Sequence, residues 1–131
     1  MMTIDYVGIK TLDPSDWSYR GIYDNSNDST DLTVAHGFNY HQGPEWVWIY
    51  GMYLRAYLLF HKSSKDANMY KSAVFAVQRA LIQHKLYIQQ DPFSGLPELT
   101  NMGGSACYFS CPTQAWSTAV FLELIFDIAT S

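Results

Sequence analysis

The chain has 131 residues and a formal net charge of −4, with 8 basic and 12 acidic side chains against 4 Trp, 10 Tyr and 7 Phe. At 15% charged and 16% aromatic it is too apolar to be disordered, and its acidic balance excludes the electrostatic footprint of a nucleic-acid binder. Arg55, His61, Lys62 and Lys65 interrupt the most apolar stretch, which excludes a membrane span.

Residues 1–43 form a loop-rich segment. Asp13-Pro14 and the run from Asp24 to Asp31 are turn and cap residues. Short strands are expected near Ile4–Ile9 and Leu32–Val34. The first ten residues have neither a basic nor an apolar signal region. With 2 cysteines and no such signal, free thiols in a reducing, cytoplasmic setting are expected.

Residues 44–131 read as three helices with an intervening loop. The first is expected from about Pro44 to Lys62, with Pro44 in the first helical position, where a missing N–H costs nothing. Trp46, Tyr50, Tyr53, Tyr57 and Phe60 recur at helical spacing, and Ile49, Leu54 and Leu58 broaden that face. The second runs from about Ser64 or Asp66 to Gln90, with Ser63 and Ser64 suited to cap it. Its stripe is Tyr70, Val74, Val77, Leu81, His84 and Ile88. The third spans about Pro112 to Ala129. Ala115, Ala119, Leu122 and Phe126 share one face, widened by Trp116, Val120, Leu124 and Ile128.

Helices apolar nearly all round are buried on more than one side. Three helices and a loop-rich segment cannot bury all these faces. The composition therefore predicts part of a larger all-α architecture, with an open apolar seam and poor solubility for the chain alone.

Two segments concentrate chemistry. Tyr40 to Trp48 packs two Trp, one Tyr, one His, one Gln and one Glu into nine positions. Polar groups beside flat rings suit a sugar, and they equally suit a buried aromatic helix start. Glu98 lies on a loop next to Pro97, flanked by Leu96 and Leu99. A carboxylate so held suits a general base, and an ordinary solvated or capping Glu is the other reading.

Other patterns fail their tests. His36 and His41 lie five apart with Gly37 between them, so they share no helix face for a metal. Cys107 and Cys111 lack a second ligand pair. A calcium loop starting at Asp24 needs Gly sixth and Glu twelfth, where Ser29 and Ala35 stand. Asn27-Asp28-Ser29 matches a glycosylation acceptor with no signal to deliver it. No phosphate loop or Ser elbow is present. No cofactor is expected.

Read together, four segments go further. They are Asp16 to Asn25, Gly37 to Trp46, Gly95-Leu96-Pro97-Glu98-Leu99-Thr100-Asn101, and Thr113-Gln114-Ala115-Trp116-Ser117. In this order and spacing they strongly resemble the extreme C-terminus of the eukaryotic glycogen debranching enzyme family, over nearly the whole chain. The resemblance implies the last helices of an (α/α)6 barrel with amylo-α-1,6-glucosidase activity in glycogen catabolism. A separate N-terminal region of the family carries 4-α-glucanotransferase activity, and this chain matches none of it. The implied partners are glycogen or its limit dextrin and the upstream part of the same barrel, with no nucleic acid and no membrane.

By the same resemblance Glu98 is the general base of an inverting mechanism. The general acid is an Asp on an earlier part of the barrel, which no residue here matches. Tyr40, His41, Gln42, Glu45, Trp46 and Gln114 line or support the glucose pocket, with Asp24 and Asn25 beside them. Trp48 and Trp116 are candidates for the same wall. Tyr50, Tyr53, Tyr57, Phe60 and Phe126 are expected in the barrel core. One position departs from the family: Ile49 follows Trp48 where Pro is usual, which should straighten the helix slightly. The expectation is a C-terminal piece of such an enzyme, inactive alone for want of its acid. The alternatives are a non-catalytic α-glucan-binding module and a structural helical module that pairs with a complementary barrel portion.

Overall fold

The computed structural model describes residues 7–27 and 39–130. The strand expected at Leu32–Val34, the first half of the one at Ile4–Ile9, and His36 lie outside them.

Three helices carry the fold: α1 (Val47–Ser63), α2 (Ala67–Gln90) and α3 (Ala115–Ala129). A small sheet accompanies them, which corrects the all-α expectation. Its strands are β1 (Ile9–Lys10), β2 (Glu45–Trp46) and β3 (Leu99–Thr100), paired antiparallel in that order. Glu45 faces Lys10 and Thr100, and Trp46 faces Ile9 and Leu99.

The sheet explains why the first helix starts later than Pro44. Glu45 is paired on both sides, so its backbone is extended. Trp46, also extended, is the N-cap residue. Pro44 instead offers its carbonyl to the amide and hydroxyl of Thr11. The first helical N–H, on Val47, donates to the Glu98 carbonyl at 3.2 Å. A helix N-terminus leaves such donors without partners, and here one of them ties α1 to the loop carrying Glu98. The helix then runs on through Ile49.

Ser63 and Ser64 close α1 rather than open α2. Their hydroxyls donate to the carbonyls of Phe60 and His61. Lys65, at φ +60, turns the chain. Asp66 caps α2, its side chain accepting from the amides of Asn68 and Met69. The carboxylate outcompetes the serines because only it stands next to the first free amides.

α1 packs against both α2 and α3. The core joins Val47, Leu54 and Leu58 of α1 to Ala73, Val77 and Ala80 of α2 and to Phe121 and Leu124 of α3. The α2 stripe lies as expected, with Val77 and His84 buried and Tyr70, Val74, Leu81 and Ile88 packed beside them. α3 turns a different face inward. Ser117, Val120, Phe121 and Leu124 are buried, while Leu122 and Phe126 stand 67% and 66% exposed. Gly51 decides this: a Cβ there would lie 2.6 Å from Val120 Cγ1. Only glycine admits α3 so closely, and it admits the Val120 face. α3 starts at Ala115, three residues past Pro112, because the Gln114 amide is held in extended backbone by the Leu96 carbonyl at 2.8 Å.

Apolar side chains remain open on every helix. Among them are Tyr53 and Phe60 on α1, Phe75 and Ile82 on α2, and Ile125 on α3. A groove of about 340 Å³ separates α2 from α3, lined by Leu81, Ile82, His84, Ile88, Phe121 and Ile125.

Candidate functional site: an aromatic wall beside Glu98

The site lies where β2, β3 and the starts of α1 and α3 meet. Successive residues of a strand point to opposite faces. Trp46 and Glu45 therefore serve different surroundings.

Trp46 enters an aromatic group. Its ring stacks on His41 at 4.8 Å and meets Tyr40 edge-on at 4.9 Å. Its indole N–H donates to the Tyr40 carbonyl at 3.1 Å. Tyr23 adds a ring 5.0 Å from Tyr40, and Trp116 lies 5.2 Å from Trp48 and 6.2 Å from Trp46. Trp46, Tyr23 and Leu99 form the buried base of this wall. His41 and Trp116 stand open to solvent.

Glu98 sits against the wall, partly exposed. Its backbone is held from both sides: its carbonyl accepts from Val47 and its amide donates to Cys111. The Tyr40 hydroxyl faces the Glu98 carboxylate closely enough for the two groups to interact. Burial, and then that carboxylate, raise the Tyr40 phenol. Tyr40 is thus a protonated donor at neutral pH. Cys107 is pushed up to about 11, first by burial and further by the nearby charges of Asp24 and Glu98. Its thiol stays protonated and donates to the Tyr23 carbonyl.

Asn25 borders the group. It accepts from the Tyr23 hydroxyl at 2.6 Å and donates to the Phe109 carbonyl at 2.7 Å. Asp24 caps its own turn, accepting from the Ser26 hydroxyl and amide, which lower its carboxyl.

Glu45 lies on the other side of β2, fully buried. Its carboxylate accepts from the amides of Gly103 (3.1 Å) and Gly104 (3.0 Å) and from the Thr100 hydroxyl (3.3 Å). Burial raises it despite these bonds. Glu45 thus braces the loop after β3 and does not face the aromatic wall. Gln42 is exposed, and its main chain bonds Arg20 and Asn39. Gln114 is half-buried at the start of α3, two residues before Trp116.

Tyr40, His41, Trp46 and Glu98 therefore come together, with Asn25 and Asp24 at the border. Sequence reasoning passed over Tyr23 and Cys107 as site residues. Tyr23 had a signal, since it stands in the Asp16 to Asn25 segment. Cys107 had none, because a lone thiol carries no pattern. Among the described residues, no group of three or more His, Cys, Asp or Glu side chains is placed to hold a metal ion. No helix there is long and apolar enough to cross a membrane.

Comparison with known proteins sets the class. Residues 3–123 match the family model described as amylo-alpha-1,6-glucosidase. The chain belongs to this family, a hydrolase family. It is similar to the glycogen debranching enzyme of Saccharomyces cerevisiae (strain ATCC 204508 / S288c). The two are 46% identical over 129 residues, covering 93% of this chain and 8% of that protein.

Proposed function

We propose that this chain supplies the general base and part of the glucose-binding wall of an amylo-α-1,6-glucosidase. The reaction is hydrolysis of the single α-1,6-linked glucose at a glycogen branch point, with inversion. Glu98 takes a proton from the attacking water. Tyr40 orients the Glu98 carboxylate by donating to it, and Trp46 holds Tyr40 in place. His41 and Trp116 offer open faces to the sugar, while Glu45 supports the site from behind β2. Gln42, Gln114, Asp24 and Asn25 are assigned to its border.

One observation carries this reading. In a chain of this family, Glu98 is anchored by its backbone to two separate segments and its carboxylate meets a fixed aromatic wall. An inverting glycosidase needs a second carboxyl group roughly 6.5–9.5 Å away, across the sugar. We assign that acid to an upstream Asp, and we assign the three helices to the last part of an (α/α)6 barrel. The open faces of α1, α2 and α3 are of the kind such a barrel covers. Acting alone, the chain is expected to be inactive.

The test is glucose release from a phosphorylase limit dextrin, by the chain alone and by the chain combined with the upstream barrel region. Activity in the combination that Glu98→Gln abolishes supports the reading. Activity that survives Glu98→Gln refutes Glu98 as the base. The exposure of His41 and Trp116 also favours a second reading, a non-catalytic α-glucan-binding module. Glycogen co-sedimentation that Trp116→Ala removes, with no glucose release from any combination, would select it.

A further inference from the structure

Two aromatic rings next to the site have no role in the wall. Tyr108 and Phe109, in the loop from Cys107 to Cys111, are 76% and 74% exposed. Phe109 also has φ +63, a left-handed conformation that a bulky residue rarely adopts. Such backbone persists where the surroundings over-determine it, and it clusters at functional sites. Burial of the Phe109 ring does not offset the strain, because the ring is in solvent.

The loop is held firmly against the site. The Cys107 thiol donates to the Tyr23 carbonyl at 3.3 Å, and the Asn25 amide donates to the Phe109 carbonyl at 2.7 Å. The Ser110 amide donates to the Cys107 carbonyl, and the Glu98 amide donates to the Cys111 carbonyl. The bond from Asn25 pins the strained residue itself. The bond to Cys111 joins the loop to the residue assigned as base.

We propose that Tyr108 and Phe109 form a platform at the rim of the Glu98 site, stacking on successive α-1,4-linked glucosyl units of the glucan chain that bears the branch. The inference rests on the reading of Glu98, because it places the rest of the substrate next to that residue. Pyranose C–H faces carry partial positive charge and suit the negative faces of aromatic rings. The Tyr108 hydroxyl adds a donor and acceptor for sugar hydroxyls. A loop whose backbone is fixed before binding loses little freedom when the ligand arrives. A protein partner is the weaker occupant. The open faces of the helices mix aliphatic with aromatic side chains, as helix packing does, whereas this loop offers two rings flanked by Cys and Ser.

The experiment is an NMR titration of the chain with maltoheptaose, with glucose as the control. Maltoheptaose should shift the Tyr108 and Phe109 ring resonances saturably, and glucose should leave them unmoved. A double variant, Tyr108→Ala with Phe109→Gly, should bind maltoheptaose at least fivefold more weakly. Glycine suits φ +63, so the double variant should keep the parent fold, which a thermal melt checks. No saturable shift, a loss under fivefold in the double variant, or ring shifts that follow protein concentration instead of maltoheptaose would overturn the platform. Failure of the Glu98 reading shows separately, as glucose release that survives Glu98→Gln.

Discussion

The Glu45 carboxylate lies 3.0 Å from the amide nitrogen of Gly104, joining residues 59 positions apart. Gly103 supplies a second amide, and its φ of +75 aims that N–H without strain because it has no Cβ. One carboxylate therefore closes the loop that follows β3, the strand next to Glu98. Glutamine has a single acceptor oxygen, and its amide N–H₂ would face a donor. Glu45→Gln should cost about 1–3 kcal/mol of folding stability, measured by urea unfolding. Burial holds the folded-state pKa of Glu45 above its ordinary 4.5. Above 4.5 and up to that raised value, the folded chain binds more protons than the unfolded chain. Stability from this group is full below 4.5 and declines as pH rises through that window. Glu45→Gln should lack this decline.

His84 shows the opposite sign. Its ring nitrogens face the carbonyls of Val7 (2.8 Å) and Ala80 (3.1 Å), and burial depresses its pKa below 6.5. The folded chain resists the protonation that the unfolded chain accepts. Stability should be full above 6.5 and fall as pH drops through the depressed value. His84→Phe should remove that acid sensitivity. It should also lose about 1–3 kcal/mol at neutral pH, because one of the two carbonyls facing the ring loses its donor. Unfolding curves across this pH range decide both points.

Asp66 caps α2 with two accepted bonds, to Asn68 (2.9 Å) and Met69 (3.2 Å). Asp66→Ala should destabilise the chain by about 0.5–2 kcal/mol. Ser63→Ala and Ser64→Ala should each cost less, because these exposed hydroxyls donate to the closed end of α1, with Ser64 also accepting from the Asp66 amide at 3.3 Å. Thermal melts followed by circular dichroism would rank the three.

The open faces predict behaviour in solution. The chain alone should self-associate with rising concentration and bind a hydrophobic dye. Leu122→Lys with Phe126→Glu should reduce both while leaving helicity intact, since both side chains are about two-thirds exposed. Size-exclusion chromatography over a concentration series measures it. A monomer at all concentrations would count against the missing-partner account.

The helices were legible because apolar periodicity survives over 15 to 24 residues. Their starts were less legible. Pro44 and Pro112 both suit a first helical turn, yet a two-residue strand and a single bond from Gln114 to Leu96 moved each start by three residues. The inward face of α3 was misread because that helix is apolar nearly all round, so its own pattern did not single out a face. The choice came from Gly51, on another helix.

The amino-acid sequence alone determined the three helices, the concentration of rings and polar groups between Tyr40 and Trp48, and the segments that mark the family. Only the tertiary structure decided what neighbouring residues do. Glu45 and Trp46 read as one helical turn with one shared role. Pairing with β1 and β3 extends them, and extended residues alternate sides. Trp46 thereby joins the wall beside Glu98, and Glu45 turns away to fasten the loop behind it.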